Sequence, residues 1–406
     1  MSAMSVIRAS DNTALIPKYW EKKFLKDQHE KDPLKPFYGS DNIVVTDYDL
    51  KAAKGDTVVV TIVGLPDGDG VTDDGDYDSD IGSVEVYDFP VTIHEHGRSY
   101  GLAGQMTEKS AAFNSRTVTM NALTNWRGLF NARAVIDALS GLSLHSLGGN
   151  VLGDSGVTTH SNVNKVAPAY TAGNTALRYY CGGQTTTDTL ADRVATINVP
   201  TSATDSTYLM GPETIEDLRR LARTSVTSAG VLVSPIQPIN VNGKMLFVLL
   251  VSFKQGKNIR ASTKWKTGHY YADIRGMENS IYSGQIGVWD GVMIIETDLL
   301  HQRVGTTIEA SHSGPAWMDI SNVNCKTGVS VHRALFLGQK AVAWAWGKSP
   351  EYQEFYADHA KTKWAVRITS IYGVKKIAKA SSTDSTPGAI VSDSEMGCIV
   401  ADTCVV

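Results

Sequence analysis

Seven aspartates crowd the stretch 67–80, at Asp67, Asp69, Asp73, Asp74, Asp76, Asp78 and Asp80, with Glu85 close behind. Hard divalent cations take oxygen ligands at short regular spacing, and Asp74, Asp76, Asp78, Asp80 and Glu85 fall at the ligand positions 1, 3, 5, 7 and 12 of a twelve-residue calcium loop. Position 6 of that template demands glycine for a sharp turn, and here it is Ser79. The flanks also read as strands where a calcium-binding helix pair needs helices. The alternative is a solvated acidic loop that repels itself until it meets a cationic neighbour, for which Lys375, Lys376 and Lys379 are the expected counterpart on another copy of the chain.

Other chemistry-bearing residues lack a constellation. His94 and His96 stand two apart on an expected strand and so share a face, but no third metal ligand is fixed by the sequence, which favours surface or interface histidines. There is no G-x-S-x-G elbow, no H-E-x-x-H helix and no G-x-x-x-x-G-K-[ST] loop, so neither a hydrolase nor a phosphate-loop enzyme has an anchor. Asp358 and His359 read as a feature of a helix end. Cys181, Cys325, Cys398 and Cys404 form no C-x-x-C pair and no zinc spacing, so they are expected as reduced thiols. Trp126, Trp265, Trp289, Trp344, Trp346 and Trp364 lie in organised segments, where packing explains them better than base stacking.

Composition narrows the class. Of 406 residues, 42% are hydrophobic and 20% charged, enough apolar material for two moderate cores or one large one, which excludes disorder as the main state. The formal net charge of −4 argues against a protein whose main work is gripping phosphate. The longest apolar runs, such as 245–253, fall well short of the ~20 residues that span a bilayer, and no signal pattern opens the chain, so no membrane partner is expected.

The elements that must position these residues follow from periodicity. An amphipathic stretch at 19–25, then Pro33 and Pro36, gives an arm with little to bury on its own surface. Residues 56–63 and 84–94 are rich in β-branched and aromatic types and flank the acidic run, which predicts a long β-hairpin. A two-stranded ribbon is marginal alone, so it needs a partner surface. A long helix is predicted over 107–142, with Met120, Leu123, Trp126 and Phe130 at helical steps. Residues 148–207 read as loops and isolated strands such as 194–199. Beyond them come a helix over 212–223, a buried strand over 245–253, a turn-punctuated strand pair over 286–296, an apolar helix over 332–346, and strands at 364–377 and 397–401.

Short segments carry a resemblance. Lys54-Gly-Asp-Thr-Val, Tyr87-Asp-Phe-Pro-Val-Thr-Ile, Phe247-Val-Leu-Leu-Val251, Ser283-Gly-Gln-Ile-Gly-Val-Trp-Asp-Gly-Val292 and Arg333-Ala-Leu-Phe-Leu-Gly-Gln-Lys-Ala341 resemble, in order, the major capsid proteins of N4-like podoviruses, which have the HK97-type fold. The Gly/Thr-rich middle and the stretch 300–331 depart from the family pattern. The resemblance implies an α+β subunit with an N-terminal arm (1–40), an extended hairpin or E-loop (41–100), a peripheral domain with spine helix (101–210), an axial domain (211–354) and a return to the peripheral domain with C-terminal strands (355–406). It implies a homo-oligomer of pentamers and hexamers in the icosahedral capsid of a tailed double-stranded DNA phage, assembled in the host bacterial cytoplasm. Decoration, scaffolding and portal proteins would be partners, with non-specific contact to packaged DNA. No catalysis and no cofactor are expected beyond the calcium considered above. The assembly surface is expected at Tyr19, Trp20, Phe24, Asp67, Asp69, Val86, Tyr87 and Phe89. A calcium-stabilised β-rich adhesion or tail protein is the alternative, and an unrecognised hydrolase the third.

Overall fold

The computed structural model describes residues 34–47, 57–63, 86–101, 115–140, 179–181, 209–223, 226–228, 231–233, 235–241, 243–267, 285–300, 302–304, 330–356, 363–380 and 390–405. The expected strand at 194–199, the segment 358–359 and most of the N-terminal arm lie outside them.

The central element is a mixed eight-stranded sheet. Its order is β10 (Gln285–Trp289), β11 (Val292–Glu296), β9 (Lys244–Val251), β13 (Ser330–Leu337), β18 (Cys398–Cys404) and β5 (Tyr179–Cys181), with β8 (Ile239–Val241) paired to β9 and β12 (Gln302–Val304) to β13. Alternate residues of a strand face opposite sides. Here Val248, Leu250, Leu335, Leu337 and Val400 enter one hydrophobic cluster, while Phe247, Leu249, Val251, Phe336 and Ile399 enter another. Helix α1 (Ser115–Leu139) covers the first side through Leu129, Val135, Ile136 and Leu139. Helix α2 (Pro212–Arg223) covers the second through Ile215, Leu218 and Leu221.

A four-stranded sheet runs β1 (Val44–Asp47), β14 (Val342–Tyr356), β15 (Trp364–Lys376) and β4 (His94–Gly101). Three two-stranded pieces complete the described strands: β2 (Thr57–Val63) with β3 (Val86–Thr92), β6 (Val226–Ser228) with β7 (Val231–Val233), and β16 (Ala378–Ala380) with β17 (Ile390–Glu395). The chain divides into two compact units. The smaller, described over 97–101, 115–127, 351–356 and 363–369, has a core of Leu123, Val366 and Ile368 edged by Tyr100, Trp126 and Trp364. The larger holds the eight-stranded sheet.

Two expectations are corrected. The apolar stretch 332–346 is not a helix but the strands β13 and β14, joined through a turn in which Lys340 adopts φ +57°. Both faces of β13 and of the start of β14, Val342–Ala345, are buried, so no two-residue alternation marks this stretch. The strand expected over 245–253 stops at Val251, because Ser252 caps helix α3 (Phe253–Ala261) in a reciprocal box with Gln255, leaving Phe253 exposed as the first helical residue.

A buried ion pair ties helix to sheet. Arg333 and Asp402 stand directly opposite on β13 and β18, and the guanidinium donates from Nε and Nη2 to the two carboxylate oxygens, each at 2.8 Å. Its Nη1 donates to the Ser140 carbonyl at 3.0 Å, the residue that follows α1. A helix end leaves carbonyls without intrahelical partners, and a cation there satisfies one of them and opposes the helix dipole. Removing one member of such a pair strands the other charge in the interior. Arg333→Ala is therefore expected to lower unfolding free energy by about 3–5 kcal/mol, measured by chemical denaturation of the isolated subunit.

Candidate assembly interface

The hairpin predicted around the acidic run is present as a ribbon. Its strands β2 and β3 pair antiparallel from Thr57↔Thr92 to Val63↔Val86, so the connection between them is 64–85. That connection holds Asp67, Asp69 and the whole calcium template Asp74, Asp76, Asp78, Asp80 and Glu85, and it lies outside the described residues. Tyr19, Trp20 and Phe24 lie outside them too. Among the described residues no group of three or more His, Cys, Asp or Glu is placed to hold a metal.

The root of the ribbon is anchored on its own chain. Val58, Phe89 and Val91 form a small core with Ala343, Ala345 and Ile377. Facing them from β15, Gly373 leaves no room for a side chain, since a Cβ there would sit 2.2 Å from the Thr92 carbonyl oxygen. Two residues on, the Lys375 ammonium lies 4.8 Å from the centre of the Phe89 ring and donates to the Pro90 carbonyl at 2.7 Å. Phe89, expected at the assembly surface, is thus only 1% exposed within its own chain. It docks the ribbon instead of waiting for a sister molecule. Val86 and Tyr87 occupy β3 opposite Val63 and Ile62, further along toward the acidic connection. On the opposite face of the root Val59 is 55% exposed.

The cationic counterpart expected at Lys375, Lys376 and Lys379 is corrected by the same geometry. Lys375 is 4% exposed beneath the ribbon, and Lys376 pairs with Glu395 at 3.0 Å with both side chains buried. Neither offers a surface charge, because alternate residues of β15 turn to two covered faces; Lys379 lies in β16, where its side chain is not described. Burial pushes the Lys375 amine down to about 8 from its ordinary 10.5.

The remaining candidates resolve as packing. His96 is buried against Tyr372 and Phe130, with ring centres 4.6 and 5.9 Å away, and the His94 ring is 6.5 Å off, so the pair serves an aromatic cluster. Trp344 stacks on Tyr372 at 4.9 Å and Trp265 packs on Trp289 at 5.4 Å. Cys398 and Cys404 are buried free thiols, and burial raises Cys398 to about 12, which makes it unreactive. One contact sequence reasoning missed is Ser252 Oγ to His332 Nδ1 at 2.7 Å. It resembles a nucleophile and base, but both residues are buried, and the hydroxyl accepts the Gln255 amide as a helix cap. The Ser-x-x-Gln spacing at 252–255 was the available signal.

An α+β subunit with a two-stranded ribbon, a long helix beside the main sheet and a second small unit has the HK97-like architecture of phage capsid subunits. The chain belongs to the phage capsid protein family, whose sequence model matches residues 9–406. Its function is to form the shell of a phage capsid. The fold is shared with the capsid of Ralstonia phage GP4 at a TM-score of 0.69 and 19% identity, over 100% of this chain and 99% of that one. The cyanophage Pam1 capsid aligns at 0.66 and 18% identity over 100% and 99% of the two chains. The Helicobacter pylori bacteriophage KHP30 capsid aligns at 0.64 and 14% identity over the full length of both. No curated protein matches the sequence.

Lys375 makes the stability of the ribbon root depend on pH. Its folded value lies below its unfolded one, so between pH 8 and 10.5 the unfolded chain binds more protons and stability rises with pH. The buried ammonium's cost is fully present below pH 8. Thermal melts across that window should show a rise in wild type that is absent in Lys375→Met.

Proposed function

We propose that the chain is the major capsid protein of an N4-like podovirus and assembles into pentamers and hexamers of an icosahedral shell around double-stranded DNA. Assembly takes place in the host bacterial cytoplasm, with scaffolding, portal and decoration proteins as further partners, and no catalysis by the subunit itself. Residues 211–354 serve as the axial domain, 101–210 and 355–406 build the peripheral domain, and the arm 1–40 and the hairpin 41–100 reach neighbouring subunits. The acidic connection acts as a solvated loop without bound calcium.

The observation that supports this most directly is the asymmetry of the ribbon. One face of its root is packed on its own chain through Val58, Phe89 and Val91, while Val59 on the other side stays exposed. Apolar area removed from water yields about 25 cal/mol per Å², so such a side chain gains its burial on assembly. Many modest contacts of this kind hold a closed symmetric shell.

Electron microscopy of the expressed chain tests the assignment: rings, tubes or shells are expected, and a uniformly monomeric field would contradict it. Val59→Asp should reduce particle yield severalfold while leaving the melting temperature of the unassembled subunit within ~2 °C of wild type, since an exposed substitution changes stability little.

A further inference from the structure

With Lys375 and Lys376 buried, the acidic connection needs a different counterpart. The segment 64–85 carries eight carboxylates (Asp67, Asp69, Asp73, Asp74, Asp76, Asp78, Asp80 and Glu85) and no lysine or arginine. The segment 253–267 is its inverse, with Lys254, Lys257, Arg260, Lys264 and Lys266 and no carboxylate. All five cations are exposed, on α3 and the helical turn that follows it.

Arg260 reaches Glu296 at 2.7 Å and Lys264 reaches Glu216 at 2.8 Å. Among the described residues no carboxylate pairs with Lys257 or Lys266. Phe253, one helical turn before Lys257 and so on the same face, is 53% exposed. An apolar ring beside unanswered cations is the composition of a recognition surface, where the aromatic supplies contact area and the charges supply partner choice.

We propose that the basic surface formed by Phe253 and Lys257 on α3, with Lys266 on the helical turn that follows it, is the docking surface for the acidic hairpin connection 64–85 of a second copy of this chain. Complementary charge is what selects this occupant. A loop with this density of carboxylates repels itself and gains by meeting cations, and a surface with unpaired cations gains by meeting carboxylates. Each exposed pair is weak and screened by salt, so the contact steers and registers subunits as they meet and does not glue them by itself. It rests on the self-assembly proposed above and names one of its contacts.

The test uses the full chain, with assembly followed by sedimentation. Lys257→Glu with Lys266→Glu should cut assembled material about tenfold, the effect of a few such pairs together. Asp76→Lys with Asp78→Lys should do the same, and combining the two pairs in one chain should restore shells. Raising ionic strength should weaken assembly of the wild type and of the doubly reversed chain alike, since both rest on exposed pairs. Cysteines at 257 and 76 should then cross-link between chains in assembled material. Wild-type yield from the α3 variant overturns the inference, as does a cross-link formed only within one chain. Normal shells that retain less DNA overturn it too, and assign the basic face to the genome. A wild-type chain that never sediments above small oligomers overturns the assembly assignment and this contact with it.

Discussion

A two-stranded ribbon has two faces and two open edges, and among the described residues of this subunit one face of its root, at Val58, Phe89 and Val91, is packed on the chain while Val59 on the other is exposed. Everything else about the molecule can be ordered from that constraint. The root is fixed by shape at Gly373, by a cation over an aromatic ring at Lys375 and Phe89, and by a small apolar core with Ala343, Ala345 and Ile377. Isolated ribbons are marginal in water, so under the assembly proposed above a ribbon held at its base is completed by neighbours. A shell protein uses that incompleteness, since subunits that satisfied themselves fully would have no reason to associate.

The platform beneath the root has to be rigid for the ribbon to be aimed. The root packs on β14 of the four-stranded sheet through Ala343 and Ala345, and in the eight-stranded sheet β13 and β18 are locked in register by Arg333 and Asp402, with Arg333 also holding the end of α1. A second enclosed pair, Lys376 with Glu395, fastens the end of β15 to β17. Buried ion pairs add little net stability over apolar packing, but they punish every misregistered alternative in which one charge loses its partner. Such pairing suits a subunit whose ribbon root must keep the same geometry in every copy.

The sequence showed some of this clearly and hid the rest for identifiable reasons. Helix α2 was legible to the residue because Pro212 and Glu213 mark its start. The β10–β11 pair was legible because Asp290 and Gly291 adopt positive φ in a tight turn that their residue types announce. The stretch 332–346 was misread because burial on both faces erases the alternation of a strand, and because its turn uses Lys340 in a conformation usually left to glycine or asparagine. Lys375 and Lys376 looked like a basic surface patch. Their partners, Pro90 and Phe89 on one side and Glu395 on the other, come from segments that only the tertiary fold brings near. Of the expected assembly residues, Phe89 was found on the right element but facing inward.

The central claim is that the outer part of the ribbon is completed by other copies of the chain. Hydrogen exchange of the backbone amides in 57–63 and 86–92, compared between the unassembled subunit and the shell, tests it most directly. The account predicts that amides near Val58, Phe89 and Val91 are protected in both states, while those toward Val63 and Val86 slow markedly in the shell. Equal protection along the whole ribbon before and after assembly would contradict it.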